Sequence, residues 1–229
     1  LMVEKTLRVF IGIFFLTLIA KTASAFTLEP TVTVLELPAD VGGETLLLRN
    51  PRNVDLPVMF EVMERKINED GSEEATPADD EFVVFPPQAV VRAGKTQAVR
   101  IQWVGGDLSQ SRSFTLYASE LPLSLNGEQK SGVTTVFRMG ASIHVTSKGF
   151  VSQPKLVRYR PEKDGVVVSI GNDGNEFIYV DMLRLKFGND EVGGFELANI
   201  AGRTLITPGA VRTFKVGGVQ GAPKLQREE

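Results

Sequence analysis

The chain has 229 residues, 42% of them hydrophobic, with a formal net charge of −3 at pH 7, a single histidine and no cysteine. That charge gives no general attraction to nucleic acid or to an anionic membrane surface, and the missing cysteines remove thiol catalysis, disulfides and the usual Cys/His metal clusters. The 22 glycines and 12 prolines interrupt segments rich in Val, Thr and Phe, so the length is read as two β-rich domains rather than a set of long helices.

At the start, Lys5 and Arg8 precede an apolar run over 9–20, and Ala23-Ser24-Ala25 offers a small-residue cleavage site. This is the pattern of a secretory signal peptide, 1–25, with Phe26 beginning the mature protein. An apolar run of about 12 residues falls short of the roughly 20 needed to span a bilayer. Removing 1–25 takes away three of the 25 Lys and Arg and one of the 28 Asp and Glu, leaving a net charge of −5. The expected location is a bacterial periplasm, with no membrane insertion after cleavage.

Period-two alternation then recurs, each run ending at a turn signal, as half-buried antiparallel strands require. Strands are expected at 28–37, 44–50, 56–63, 82–87, 98–104, 113–122 and 133–145, which is the count of an immunoglobulin-like sandwich. Trp103 lies in one of these strands and reads as core. The acidic stretch 68–81 reads as a solvated loop, with a calcium site disfavoured because the EF-hand spacing is absent. The segment 148–154 reads as a linker between a first domain, 26–147, and a second, 155–217. Expected strands in the second domain are 166–170, 177–187, 194–197, 203–206 and 211–216, and 218–229 is expected to be a flexible tail.

No Walker loop or nucleophile elbow occurs, and any Ser-His-Asp arrangement would have to pass through His144. The pair Asp79-Asp80 lies in the expected loop, without an enclosed setting to push the two pKa values apart. Neither an enzyme nor a cofactor is expected. The longest alternation places Val133, Thr135, Phe137, Met139, Ala141, Ile143 and Val145 on one side of a strand. It fits an ordinary core strand, or an edge strand that completes another protein's sheet.

Three motifs in order, Phe85-Pro86-Pro87-Gln88, then Arg92-Ala93-Gly94-Lys95-Thr96-Gln97-Ala98-Val99-Arg100-Ile101, then Glu120-Leu121-Pro122, resemble the first domain of PapD-like periplasmic chaperones of the chaperone–usher pathway. Val168-Ser169-Ile170-Gly171-Asn172, Gly174-Asn175 and Ile206-Thr207-Pro208-Gly209-Ala210-Val211-Arg212-Thr213-Phe214 resemble the second. The resemblance spans about 27–216. It implies an all-β fold of two immunoglobulin-like sandwiches set at an angle, and a chaperone that holds pilus or fimbrial subunits by donor-strand complementation and passes them to an outer-membrane usher. On this chain the donor residues it implies are Val133, Thr135, Phe137 and Met139, with Ala141 nearer the cleft. The exposed strand leaves self-association of the free protein open.

The family also anchors the subunit's terminal carboxylate with an arginine on the first strand and a lysine near the end of the donor strand. Those places fall here near Val32 and at His144, so the resemblance implies a divergent member of that family. His144 could serve as a pH-dependent anchor, or stand simply as a polar residue on the strand's outer side. Arg138, Arg158 or strand pairing alone are the other anchors that remain. The alternative to a chaperone is a secreted immunoglobulin-like structural or adhesive module; an enzyme or carbohydrate-binding protein using the 68–81 loop is more remote.

Overall fold

In the computed structural model, residues 25–123, 136–202 and 204–228 are described. Residues 1–24 of the expected signal segment, and the donor positions Val133 and Thr135, lie outside the described residues.

The first unit is a sandwich of two sheets. One has the order β1 (Thr27–Glu29), β3 (Glu44–Arg49), β8 (Thr96–Trp103), β6 (Phe82–Phe85). The other runs β2 (Val32–Leu37), β10 (Arg138–Ser147), β9 (Arg112–Glu120), β4 (Leu56–Ile67), β5 (Glu73–Pro77), with β7 (Gln88–Val91) also paired to β4. Alternate residues of each strand turn inward, so Leu46, Leu48, Val58, Val62, Ile101, Leu116, Ile143 and Val145 are all 0% exposed. Each such side chain is worth about 1.5–3 kcal/mol of burial. Trp103 belongs to this core, where Phe82 meets it edge-on with ring centroids 5.1 Å apart.

The expected strand 28–37 is two strands. The chain crosses from one sheet to the other at the cis Glu29-Pro30 peptide, leaving β1 against β3 and β2 parallel to β10. The Phe85-Pro86-Pro87-Gln88 motif marks a second crossing, from β6 on β8 to β7 on β4. There the Phe60 N–H donates to the Pro87 carbonyl at 2.9 Å.

The second unit packs its own core, including Val168, Ile170, Leu183, Leu185, Leu197 and Val216. One sheet is β11 (Pro154–Glu162), β12 (Gly165–Asn172), β17 (Val211–Gly217); another is β15 (Asp190–Gly193), β14 (Leu183–Phe187), β18 (Pro223–Arg227). β13 (Ile178–Tyr179) pairs with β16 (Leu205–Ile206).

Four expectations are corrected here. The 68–81 stretch is not a free loop: β5 pairs with β4 from Met63↔Pro77 to Ile67↔Glu73, held by cross-strand ion pairs Arg65–Glu73 and Lys66–Glu74 rather than by apolar alternation. The 194–197 segment is the start of a helix, α1 (Gly194–Ala201), whose Leu197 and Ala201 bury one face at helical spacing. The expected strand 177–187 is broken by a 3-10 turn at Val180–Met182. The expected tail carries β18, paired with β14 from Leu183↔Arg227 to Phe187↔Pro223.

Because β18 covers one side of β14 and Val219 joins the second core, ending the chain at Gly218 should lower the urea midpoint of the second unit's unfolding. An unchanged midpoint would return this segment to a frayed tail.

Candidate functional site

β10 is paired on one side from its first residue to Val145 and on the other only from Ser142 onward. Its register with β9 runs from Arg138↔Ser119 to Val145↔Arg112, and the Glu120 N–H donates to the Phe137 carbonyl at 2.9 Å. Odd-numbered residues therefore exchange hydrogen bonds with β9, while even-numbered ones direct their backbone groups to the opposite side. There the Ser142 N–H donates to the Thr31 carbonyl at 2.8 Å, and β2 pairs from Ser142↔Val32 to Ser147↔Leu37. Before Ser142 no strand among the described residues pairs with that side. The backbone groups of Arg138 and Gly140 are left as an open edge.

Side chains on the open stretch alternate as the sequence indicates. Phe137 and Met139 are half-buried against the end of the first core, and Ala141, at 0% exposed, lies wholly within it. In the free chain Ala141 is thus a core residue rather than part of an accessible apolar row. The Glu120-Leu121-Pro122 motif acts at this end of the strand: Glu120 accepts from Arg52 at 2.9 Å and from the Phe137 N–H at 3.3 Å, pinning the point where the strand becomes open.

A cavity of about 400 Å³ lies between the two units beside the covered half of β10. The first unit lends it Val32, Arg65 and Ser142; the second lends Tyr179, Asp181 and Thr204, among others. Arg65 holds Glu73 through two contacts of 3.1 Å and donates to the Ser142 hydroxyl at 3.1 Å. The anchor candidates drawn from sequence stand elsewhere. The Arg138 guanidinium lies over the Tyr117 ring, 3.7 Å from its centroid, and 3.4 Å from Glu61, and Arg158 pairs with Glu69. Sequence reasoning missed Arg65 because it ended the strand at Met63. The signal was Ile67, an apolar residue beyond the charged Glu64-Arg65-Lys66 run that is buried although it is out of phase with Val58, Phe60 and Val62.

His144 is 0% exposed and couples the two units. Its Nδ1 is 2.8 Å from the Ser113 hydroxyl and its Nε2 is 2.6 Å from the Tyr179 hydroxyl. Its ring stacks on Phe177 with centroids 3.9 Å apart. Burial, and secondarily the nearby Arg65 charge, push its pKa down to about 3; burial likewise raises that of Tyr179. The expectation of a charged histidine anchor is therefore corrected: the ring is neutral, and both nitrogens are occupied. Around it the Ser111 N–H donates to Asn175 O and the Phe177 N–H to the Ser111 hydroxyl, each at 2.8 Å.

An unfolded histidine titrates near 6.5, whereas the folded one stays neutral to about 3. Below 6.5 the unfolded chain binds the extra proton, so this group's stabilisation is complete above that pH and is lost as pH falls from 6.5 towards 3, at up to about 1.4 kcal/mol per unit. Urea midpoints of wild type and His144→Gln across that window should converge as pH falls. Parallel curves would refute the assignment.

Three solved structures share this fold. A chain of the chaperone–tip adhesion subunit pre-assembly complex from the archaic chaperone–usher Csu pili of Acinetobacter baumannii aligns with TM-score 0.61 at 16% identity, over 90% of this chain and 98% of that one. The E. coli chaperone DraB aligns with TM-score 0.57 at 21% identity, over 90% and 98%. The Salmonella enterica SafA pilin in complex with the SafB chaperone gives 0.58 at 16%, over 91% and 98%. At these identities the likeness is one of fold. No curated protein sequence matches the chain. The sequence profile of the pili and flagellar-assembly chaperones, PapD N-terminal domain, matches residues 27–148, more than half of the chain, and the protein belongs to that family.

Proposed function

We propose that the protein is a periplasmic chaperone that captures pilus or fimbrial subunits on the open half of β10 and delivers them to an outer-membrane usher. The observation that carries this reading is the change in pairing at Ser142, where β2 stops covering β10 while its alternating apolar row continues through Met139 and Phe137. An extended partner strand fits such an edge: its backbone pairs with Arg138 and Gly140, and Phe137 and Met139 offer apolar surface to the partner's core. Val133 and Thr135 continue the same alternation in the sequence. The solved relatives in complex with a tip adhesion subunit and with a pilin support the subunit as partner.

The cavity supplies the second contact. Neither Val32 nor neutral His144 provides a cation there, whereas Arg65 does, with its guanidinium fixed by Glu73 and Ser142. A subunit's terminal carboxylate entering the cavity takes the place of the Ser142 hydroxyl on Arg65.

Co-expression with neighbouring pilin-like reading frames and mass spectrometry of the retained proteins tests the reading. A stoichiometric subunit is expected, and Phe137→Ser with Met139→Ser should abolish its retention while leaving a folded chain by circular dichroism. Undiminished retention would sink the donor-strand mechanism, and a clean monomer without a client would favour a structural module. Arg65→Gln should weaken capture about tenfold or more, the worth of a charge-assisted hydrogen bond. Capture should be equal at pH 5.5 and pH 8, because His144 does not titrate between them; a marked difference would restore a charged histidine to the site.

A further inference from the structure

The cavity arginine and the clasp between the two units lie on one hairpin. β4 and β5 run past the body of the first sandwich, and their turn reaches the second unit. There Arg212 of β17, 1% exposed, donates to the Asn68 carbonyl at 3.3 Å, the Glu69 carbonyl at 3.1 Å and, from its other terminal nitrogen, the Ala201 carbonyl at 3.0 Å. Next to it the Thr213 N–H donates to the Glu69 carbonyl at 2.8 Å and the Thr213 hydroxyl to the Glu69 carboxylate at 2.6 Å. The turn is shaped for this contact. Gly71 has φ +91°, and a Cβ there would stand 2.5 Å from the Arg212 guanidinium.

Both ends of this clamp lead to the cavity. Asn68 is three residues beyond Arg65, immediately past the end of β4, about 10 Å at strand rise. Ala201 is the last residue of α1, and the next residue, Gly202, lines the cavity on the second unit's side. One guanidinium thus holds the hairpin that carries Arg65 and the helix end that forms the facing wall.

We propose that Arg212 is a positioning residue for Arg65: through the 68–72 turn and the end of α1 it sets the distance between the cavity's two walls, and so the strength with which Arg65 holds a terminal carboxylate, without touching the cavity itself. This rests on the reading of Arg65 given under the proposed function. A role in stability alone would shift unfolding but leave the discrimination between a carboxylate and its amide untouched.

The test uses the mature full chain and two fluorescein-labelled peptides of alternating threonine and valine, one ending in a free carboxylate and the other in a carboxamide, with affinities read by anisotropy. Wild type should prefer the carboxylate about tenfold, and Arg65→Gln should erase the preference. Arg212→Met should shrink it to about twofold or less with the carboxamide affinity unchanged, and should add nothing in the Arg65→Gln background. Thr213→Val, which keeps the guanidinium and removes the hydroxyl's contacts to Glu69 and to the Ser169 hydroxyl, should give a partial loss, and it carries the test if Arg212→Met does not fold. A folded Arg212→Met, or failing that Thr213→Val, with the wild-type preference would overturn the positioning role while leaving Arg65 as anchor. A wild type without preference would overturn both.

Discussion

A strand inside a sheet must satisfy backbone donors and acceptors on both sides, and in this protein that requirement is met for only half of β10. β2, running parallel, completes the ladder from Ser142 to Ser147 and then departs. The covered half is bound into the first core by Ala141, Ile143 and Val145. The open half keeps the same alternation and the same pairing to β9, so it is held in strand geometry while lacking a neighbour. An edge that is rigid before a partner arrives loses little conformational entropy when one is added. Edges of this kind also invite unwanted pairing, and the Arg138 cation lying across Tyr117 places a charge on the open stretch.

The join between the two units is equally specific. His144 comes from the same strand, two residues past Ser142, and its ring nitrogens reach Ser113 in the first unit and Tyr179 in the second. One strand therefore supplies, in order, the open edge, a residue of the cavity wall and the contact that fixes the second unit. Arg65 stands close enough to His144 to contribute to holding its pKa down, so the cavity's cation also helps to keep the adjoining contact neutral.

Much of this was legible in the sequence where burial follows a simple period. Leu46 and Leu48 in β3, Val58, Phe60 and Val62 in β4, and Val99, Ile101 and Trp103 in β8 alternate cleanly and mark their strands. The resemblance carried by Glu120-Leu121-Pro122 and its companion motifs pointed to the fold and to β10 as the strand of interest. What stayed hidden were strands held by something other than apolar alternation. β5 is fixed by Arg65–Glu73 and Lys66–Glu74 across the ladder, and most of β11 is exposed while its backbone pairs with β12. β18 shows a single half-buried Leu225 among polar neighbours. Arg65 was invisible for the same reason, since a charged residue beyond Met63 looked like the end of a strand. Its position in the cavity depends on a hairpin that only the tertiary contacts to Arg212 and Thr213 define.

The chemistry of the Arg212 clamp bears on how the protein responds to its surroundings. The guanidinium donates to three backbone carbonyls, and another bridge between the units is a neutral imidazole with two hydroxyls. Dissolved ions screen interactions between exposed charges over distances of about 10 Å at 0.1 M, but they have little purchase on buried dipoles. These two contacts are consequently less sensitive to ionic strength than the exposed Arg158–Glu69 ion pair that also bridges the units.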